Sequence, residues 1–343
     1  MLFKNRYVDF VVEENLSFPL SKEHKDKSPW LYVKIEKRNL NTMDVVKQVM
    51  KKFWLPRKKI GIAWLKDKHA LARQRLCFHS SDVAKIGDQT FLKSLQEITK
   101  VIDFGFAPNA LNLSTEITNS FWIRLRKDPK NREKKAVKQS LADPRNKNKG
   151  TIDATAIKGA NIANEYLEQR LKKLYTQGFL NLYGEQRFWF THANHRIAQE
   201  IIEGKKKNLD KSEVVFKLQS LASWLFNNYC TYRETKYGLK EIEGDIIENN
   251  QITGPVFGDD MTWADPKTEA GKLEKERKEH FDLDKKTLEA FKKVWLFWRR
   301  RPIRVKPTKA SHSRQGDDLL LQFTLPKGCY ASILVEELLG EQE

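Results

Sequence analysis

Cysteine is scarce in this chain. There are three in 343 residues, Cys77, Cys230 and Cys329, scattered without the close pairing of a metal site. So sparse and odd a count fits a reducing compartment better than a disulfide framework. No run of about 18 apolar residues occurs, which argues against a membrane-spanning helix. The opening MLFKNRYVDFVVEE has neither the apolar core nor the small-residue cleavage site of a secretory signal. There is no lipidation motif, and no basic amphipathic helix with a clean apolar face to lie on a membrane. Gly61 and Gly105 stand alone, so a phosphate-cradling glycine loop is missing, as is a serine-centred elbow. Nothing points to nucleotide hydrolysis or redox chemistry, and the expected location is cytoplasmic.

Positive charge, by contrast, is abundant. Sixty-three Lys and Arg against forty-five Asp and Glu leave a net +18. Such an excess attracts nucleic acid and costs self-repulsion without a partner. Apolar residues make up 40 %, with nine Trp and nineteen Phe, and the length suits about two domains with cores of their own. A folded, nucleic-acid-binding protein is the class these numbers favour.

Periodicity predicts strands at Tyr7–Val12, Trp30–Ile35, Ile60–Leu65 and Phe121–Leu125. A helix is expected from an N-cap at Thr42 through Val45, Val46, Val49, Met50 and Phe53, stopping before Pro56. Further helices are expected at Asn164–Thr176 with Gly178 as stop signal, at Val214–Arg233, and at about 285–299. The end, LLLQFTLPKGCYASILVEEL, reads as two strands around a Pro-Lys-Gly turn. Residues 126–150 carry ten basic and three acidic side chains and little to bury, as in a flexible basic loop that either touches phosphates or only solubilises. The class is α+β, with strands at both ends of the chain and a helix-rich middle.

His192 and His195 are one helical turn apart, but no carboxylate or cysteine pair completes a metal set, and no metal is expected. Cys77, in the apolar run RLCFHS, reads as packing. The stretch WLKDKHALARQRL, residues 64–76, is different: a lone carboxylate, Asp67, sits between Lys66 and Lys68 in a loop after an expected strand. Two readings fit it. Asp67 caps the following turn on the surface, or it is a nucleophile whose charged form its cationic neighbours favour.

In GIAWLKDKHALARQ, the residues Lys66, Asp67, Lys68, Ala70 and Gln74 resemble the catalytic motif of the TruD family of tRNA pseudouridine synthases. Other stretches resemble the family in the same order along nearly the whole chain. They are Lys4 with Asp9–Glu13, Lys37 with Asn41-Thr42, Asn119–Phe121 with Arg124–Arg126, Asn181–Phe188, Leu225–Asn227, Gly244-Asp245, Thr253–Pro255 and Leu325–Ser332. The chain departs from the pattern at Trp64 and Trp189, where Gly is usual, at Ala72 for Thr and at Leu182 for Tyr. Its 126–150 stretch is also longer than usual. None of these removes a chemically essential group.

The resemblance implies a mixed, largely antiparallel sheet of the pseudouridine-synthase type flanked by helices, with an inserted helix-rich α+β domain. It assigns 1–180 and 303–343 to a discontinuous catalytic domain and 181–302 to the family-specific insertion. It implies conversion of uridine to pseudouridine in tRNA, at uridine 13 of the D-arm region, without cofactor and without an obligatory protein partner. By carry-over Asp67 is the catalytic carboxylate, Lys4 pairs with it, and Phe10, Asn119, Phe121 and Tyr330 bind the flipped uridine. Lys66, Lys68, Arg73, Arg124, Arg126 and Arg187 are candidate phosphate contacts. Blander roles stand beside these: Phe10 and Phe121 as core, Asn119 as a turn cap, Lys4 as a loose terminal residue, Arg187 in an ion pair with Glu185. The competing functions are an RNA-binding or chaperone protein that mainly grips tRNA, and a metal-dependent nuclease, for which the carboxylates around Asp67 are too few.

Overall fold

The computed structural model describes residues 1–23, 28–127, 152–188, 194–206, 208–281, 283–297 and 299–340, and for 152–164 the backbone alone. The expected basic loop lies outside the described residues beyond Lys127, as do Trp189, His192 and Trp298. Among the described residues no helix is long and apolar enough to cross a membrane.

The chain runs through β1 (Phe10–Leu16), β2 (Trp30–Arg38), α1 (Thr42–Phe53), β3 (Ile60–Gly61), β4 (Leu71–His79), α2 (Ser80–Ala84), α3 (Asp88–Gln96), β5 (Lys100–Ala107) and β6 (Ile117–Leu125). It continues with α4 (Ile152–Gln177), β7 (Phe179–Leu180), α5 (Asn194–Ile202), α6 (Lys211–Tyr237), β8 (Ile247–Glu248), β9 (Gln251–Val256), α7 (Glu269–His280) and α8 (Lys285–Lys293). Last come β10 (Arg299–Pro302), β11 (Arg304–Val305), β12 (Thr308–Gln315), β13 (Asp318–Pro326) and α9 (Ala331–Leu339). Two compact units result: 1–163 with 307–327, and 164–306 with 328–343. These joints differ from the expected 180/181 and 302/303, and the last helix groups with the second unit.

The first unit is built on an eight-stranded sheet in the order β12-β13-β6-β1-β4-β2-β5, with β3 paired to β4. Only β1 and β4 run parallel; the other pairs are antiparallel. α1 forms because Val45, Val46, Val49 and Phe53 recur at helical spacing, and all are buried against Leu31, Val33 and Ile35 of β2. Its N-cap is Asn41, not Thr42 as expected: Asn41 shares a capping box with Asp44, and the Thr42 hydroxyl is engaged elsewhere.

The second unit packs α6 against α5, α8 and two small sheets, β10-β9-β8 and β11-β7. Asp210 caps α6 by accepting from Ser212 N and Glu213 N at 2.7 and 2.9 Å. Gly178 ends α4 at φ +79°, where a Cβ would meet the Val305 carbonyl oxygen at 2.4 Å. Asn249 and Asn250, both at positive φ, turn β8 into β9.

Four expected elements need correction. The first strand starts at Phe10, because Tyr7–Asp9 forms a 3-10 turn closed by Arg6 N donating to Asp9 Oδ2 at 3.0 Å. The strand expected to reach Leu65 ends at Gly61. The helix expected to reach 299 stops at Lys293: Trp295 turns left-handed at φ 56°, and Arg299–Pro302 pairs with β9 instead. The expected last strand is the helix α9, with Ile333, Leu334, Val335 and Leu338 buried, since a short apolar run satisfies either period.

Candidate active site

Asp67 sits in the loop between β3 and β4, which is fastened at Lys66 and at the Asp67 carbonyl. The Lys66 amide donates to Thr42 Oγ1 at 3.0 Å, and the same hydroxyl donates to Gln74 Oε1 at 2.8 Å. The Asp67 carbonyl accepts from the ammonium of Lys37, a fully buried side chain that also donates to the Leu40 carbonyl at 2.7 Å. Burial pulls the Lys37 ammonium down to about 8, against the upward influence of Asp67. The Lys66 side chain turns inward, with Nζ 2.6 Å from Asn119 Oδ1 and 3.3 Å from Glu14 Oε2. Fixed at Thr42, Lys37, Asn119 and Glu14, the loop presents the Asp67 carboxylate with 16 % of its side chain exposed.

Lys4 approaches from the N-terminal segment. Its Nζ is 2.6 Å from Asp67 Oδ2 and 4.3 Å from the centre of the Phe10 ring. Among the described residues no donor engages Oδ1. Lys4 is not a loose terminal residue. Leu2 and Arg126 exchange backbone hydrogen bonds at 2.6 and 3.0 Å, and Arg126 clamps the buried Asp9 carboxylate through two bonds of 2.7 Å. Lys4 itself adopts φ 54°, a left-handed conformation rare outside glycine, which the anchors on either side hold in place.

The register of the sheet decides which of the other candidates share this face. Phe10, Val12 and Glu14 of β1 lie opposite Ile123, Phe121 and Asn119 of β6, and Phe121 lies opposite Phe323 of β13. Phe10 and Phe121 are 5.9 Å apart, Phe121 stacks on Phe323 at 5.4 Å, and Phe3 packs edge-on to Phe10 at 5.7 Å. Phe10 and Phe121 are 3 % and 6 % exposed, so they are core as well as candidate wall. Asn119 spends its carbonyl oxygen on Lys66, and among the described residues its amide nitrogen has no acceptor.

Alternation puts Arg73 and Arg124 on the other side of the sheet. Arg73, opposite Glu13 and Glu36, bonds both carboxylates at 3.0 Å, and Arg124 bonds Asp318 at 2.7 Å. Of the expected phosphate contacts near Asp67, Lys66 is therefore turned inward, Arg73 and Arg124 face away, and Arg126 is bound to Asp9. Lys68 is exposed and, among the described residues, has no ion pair. Arg187 and Tyr330 belong to the second unit. There Arg187 donates to Ser223 Oγ at 3.0 Å and Gln219 Oε1 at 3.3 Å, and Tyr330 packs on Tyr183 at 6.1 Å. His195 stacks on Trp224 at 5.0 Å, and among the described residues no group of three metal-ligating side chains gathers.

Glu14, Thr42, Lys37 and Phe323 were not singled out from the sequence as site residues. Glu14 lies beyond the strand expected at Tyr7–Val12 and inside β1 as observed, where its alternation with Phe10 and Val12 is the signal that could have found it. Trp64, one of the departures, packs with Tyr32, Ala63, Cys77 and Leu111, and Ala72 is fully buried opposite Val12 and Lys37.

Comparison with known proteins agrees along the chain. A family model described as tRNA pseudouridine synthase D (TruD) matches residues 1–214 and 247–338. The tRNA pseudouridine synthase D of Shewanella oneidensis is 25 % identical over 362 residues, covering 98 % of this chain and 85 % of its own. That of Sulfurimonas denitrificans is 25 % identical over 383 residues, covering 98 % and 94 %. A crystal structure of a putative tRNA pseudouridine synthase D from Methanosarcina mazei superposes with a TM-score of 0.59 at 16 % identity, over 98 % of this chain and 92 % of that one, so the mixed α+β fold is shared. The chain belongs to the TruD family of tRNA pseudouridine synthases, an isomerase family.

Proposed function

We propose that this protein isomerises uridine to pseudouridine in tRNA, at uridine 13 of the D-arm region, with Asp67 as the catalytic carboxylate and without a cofactor. The observation that carries this reading is the Lys4–Asp67 contact at 2.6 Å on a loop held at the Lys66 amide by Thr42, at the Asp67 carbonyl by Lys37 and at the Lys66 side chain by Asn119. Lys4 engages Oδ2 and leaves Oδ1 to act on the uridine. The target base leaves its stack and enters the site, where Phe10 and Phe121 pack its ring and Asn119 Nδ2 donates to a carbonyl of its polar edge. The C1′–N1 bond breaks, the uracil turns, and C1′ bonds to C5. C5 loses its proton and N1 gains one, so atoms balance within the isomerisation. Tyr330 is proposed as a further ring for the substrate, and Lys68 and Arg187 as phosphate contacts.

The first compact unit is the proposed catalytic domain, and the second holds the family-specific insertion. tRNA is the partner, in the cytoplasm, with no obligatory protein subunit. Incubation with unmodified tRNA transcripts, with no cofactor added, followed by chemical-adduct mapping, tests the reading. Pseudouridine at position 13 is expected; product at another position would correct the site, and no product at any uridine would overturn the function.

A further inference from the structure

Three arginines of the second unit surround one phenol. The Cζ atoms of Arg301 and Arg187 lie 4.3 and 5.8 Å from the centre of the Tyr183 ring, and Arg299 Nη2 is 3.2 Å from its hydroxyl oxygen. Among the described residues none of the three forms an ion pair with a carboxylate. Two buried or half-buried arginines of the unit do have carboxylates, Arg300 with Glu274 and Arg233 with Asp245, each at 2.7 Å, whereas the buried Arg277 has no ion pair among the described residues and lies over the rings of Tyr232 and Phe281 at 4.1 and 5.2 Å.

The hydrogen bonds of the trio go to neutral oxygens. Arg187 bonds Ser223 and Gln219, and Arg301 donates to Asn181 O at 3.0 Å, Asn181 Oδ1 at 2.7 Å and Gly328 O at 2.9 Å. Such partners orient the guanidinium planes and cancel no charge. Arg187 and Arg301 are half-buried and repel with reduced screening, and the exposed Arg299 adds to the same positive field, so the arrangement suits an anion. Burial first, and then Arg299 and Arg301, press the Arg187 guanidinium below its ordinary value, against Tyr330 and Tyr183. The aromatic floor is rigid: Tyr183 packs on Phe226 at 5.7 Å and on Tyr330 at 6.1 Å. At Gly184 a Cβ would meet Ser332 Oγ at 2.8 Å and Tyr330 Cδ1 at 2.9 Å, so backbone and ring close on each other. Stapling of chain segments accounts for Arg301, with its three acceptors. It does not account for Arg299, which is exposed and bonds only the phenol among the described residues.

We propose that Arg187, Arg299 and Arg301 form an anion subsite around Tyr183 that holds a backbone phosphate of the RNA substrate. The planar forks match phosphate oxygens, and the rings keep the forks aligned. This subsite rests on the tRNA reading above and adds a binding locus within the second unit.

The test is the affinity for unmodified tRNA of the full chain and its Arg299→Ala, Arg299→Lys and Arg187→Gln variants, as a function of NaCl. Lys286→Ala, which removes an exposed cation elsewhere in the unit, serves as control. Arg299→Ala is expected to raise Kd about tenfold at low salt and to flatten the log–log salt slope by about 0.7–0.9, the signature of one lost phosphate. Arg187→Gln is expected to do the same, Arg299→Lys to restore the slope, and the Tm of Arg299→Ala to stay at the wild-type value. A slope unchanged from Lys286→Ala, or a wild-type protein that does not bind tRNA, would overturn the proposal. Because the readout is binding, wild-type protein that binds with the expected slopes but forms no pseudouridine sinks the catalytic reading alone. Normal pseudouridine formation with unchanged slopes in the Arg299 variants sinks the subsite alone.

Discussion

The hydroxyl of Thr42 holds two segments at once, accepting from Lys66 N and donating to Gln74 Oε1. It is buried, so its loss leaves an amide and a carbonyl oxygen without partners, at about 1–3 kcal/mol. Thr42→Val is therefore expected to lower the rate of pseudouridine formation about 10- to 100-fold through misplacement of Asp67, with tRNA affinity within about twofold of wild type. Thr42→Ser should recover most of the rate. Single-turnover kinetics beside binding measurements check this, and an affinity loss as large as the rate loss would contradict a positioning role. Little of this was legible beforehand. A threonine just before a valine stripe reads as a helix cap, and only the fold brings residues 42, 66 and 74 to one oxygen. The lone acid among cations did stand out, because local charge is visible in a linear sequence. What that sequence hides is direction: Lys66 flanks Asp67 in the chain, yet its ammonium reaches Glu14 and Asn119.

Along one face of the sheet, β1, β2 and β4 contribute Glu13, Lys34, Glu36 and Arg73 to a ladder of charges. Burial, the largest influence on Glu13 and on Glu36, pushes both carboxyls upward, but Lys34 and Arg73 at Glu13, and Arg38 and Arg73 at Glu36, hold them below the ordinary value of 4.5. Depressed folded values mean that the ladder stabilises fully above about 4.5 and loses its contribution as pH falls through the lower folded values. Arg73→Met, which leaves Glu13 with Lys34 and Glu36 with Arg38 but takes the cation they share, is expected to cost about 1 kcal/mol at neutral pH. Its Tm deficit should shrink as the pH is lowered from 6 to 3. A deficit constant across that range would show that the ladder does not contribute through charge. At this scale α1 and α6 were readable from long amphipathic stripes. α9 was not, because a run of nine residues carries too few turns to separate helical from strand periodicity. The early end of α8 was hidden as well, since Arg299–Pro302 takes its conformation from β9, more than forty residues away in sequence.

For the whole molecule, a net +18 without a membrane anchor motif favoured a polyanionic partner, and the ordered motifs favoured one enzyme family. Fold class and family were legible because they rest on features spread along the chain. The division into compact units at 163/164 and 306/307 was not, because it depends on which segments pack together across the interruption. The proposed isomerisation turns on the Asp67 carboxylate, and one substitution addresses it directly. Asp67→Asn keeps size and most of the hydrogen-bonding capacity while removing the negative charge proposed to act as nucleophile. Adduct mapping of tRNA incubated with this variant, beside its measured Kd, is the deciding measurement. A loss of pseudouridine formation of about 1,000-fold or more is expected, of the order of removing a covalent catalyst, with affinity for tRNA unchanged within about threefold. Pseudouridine formed at the wild-type rate by the asparagine variant would contradict the proposed role of Asp67.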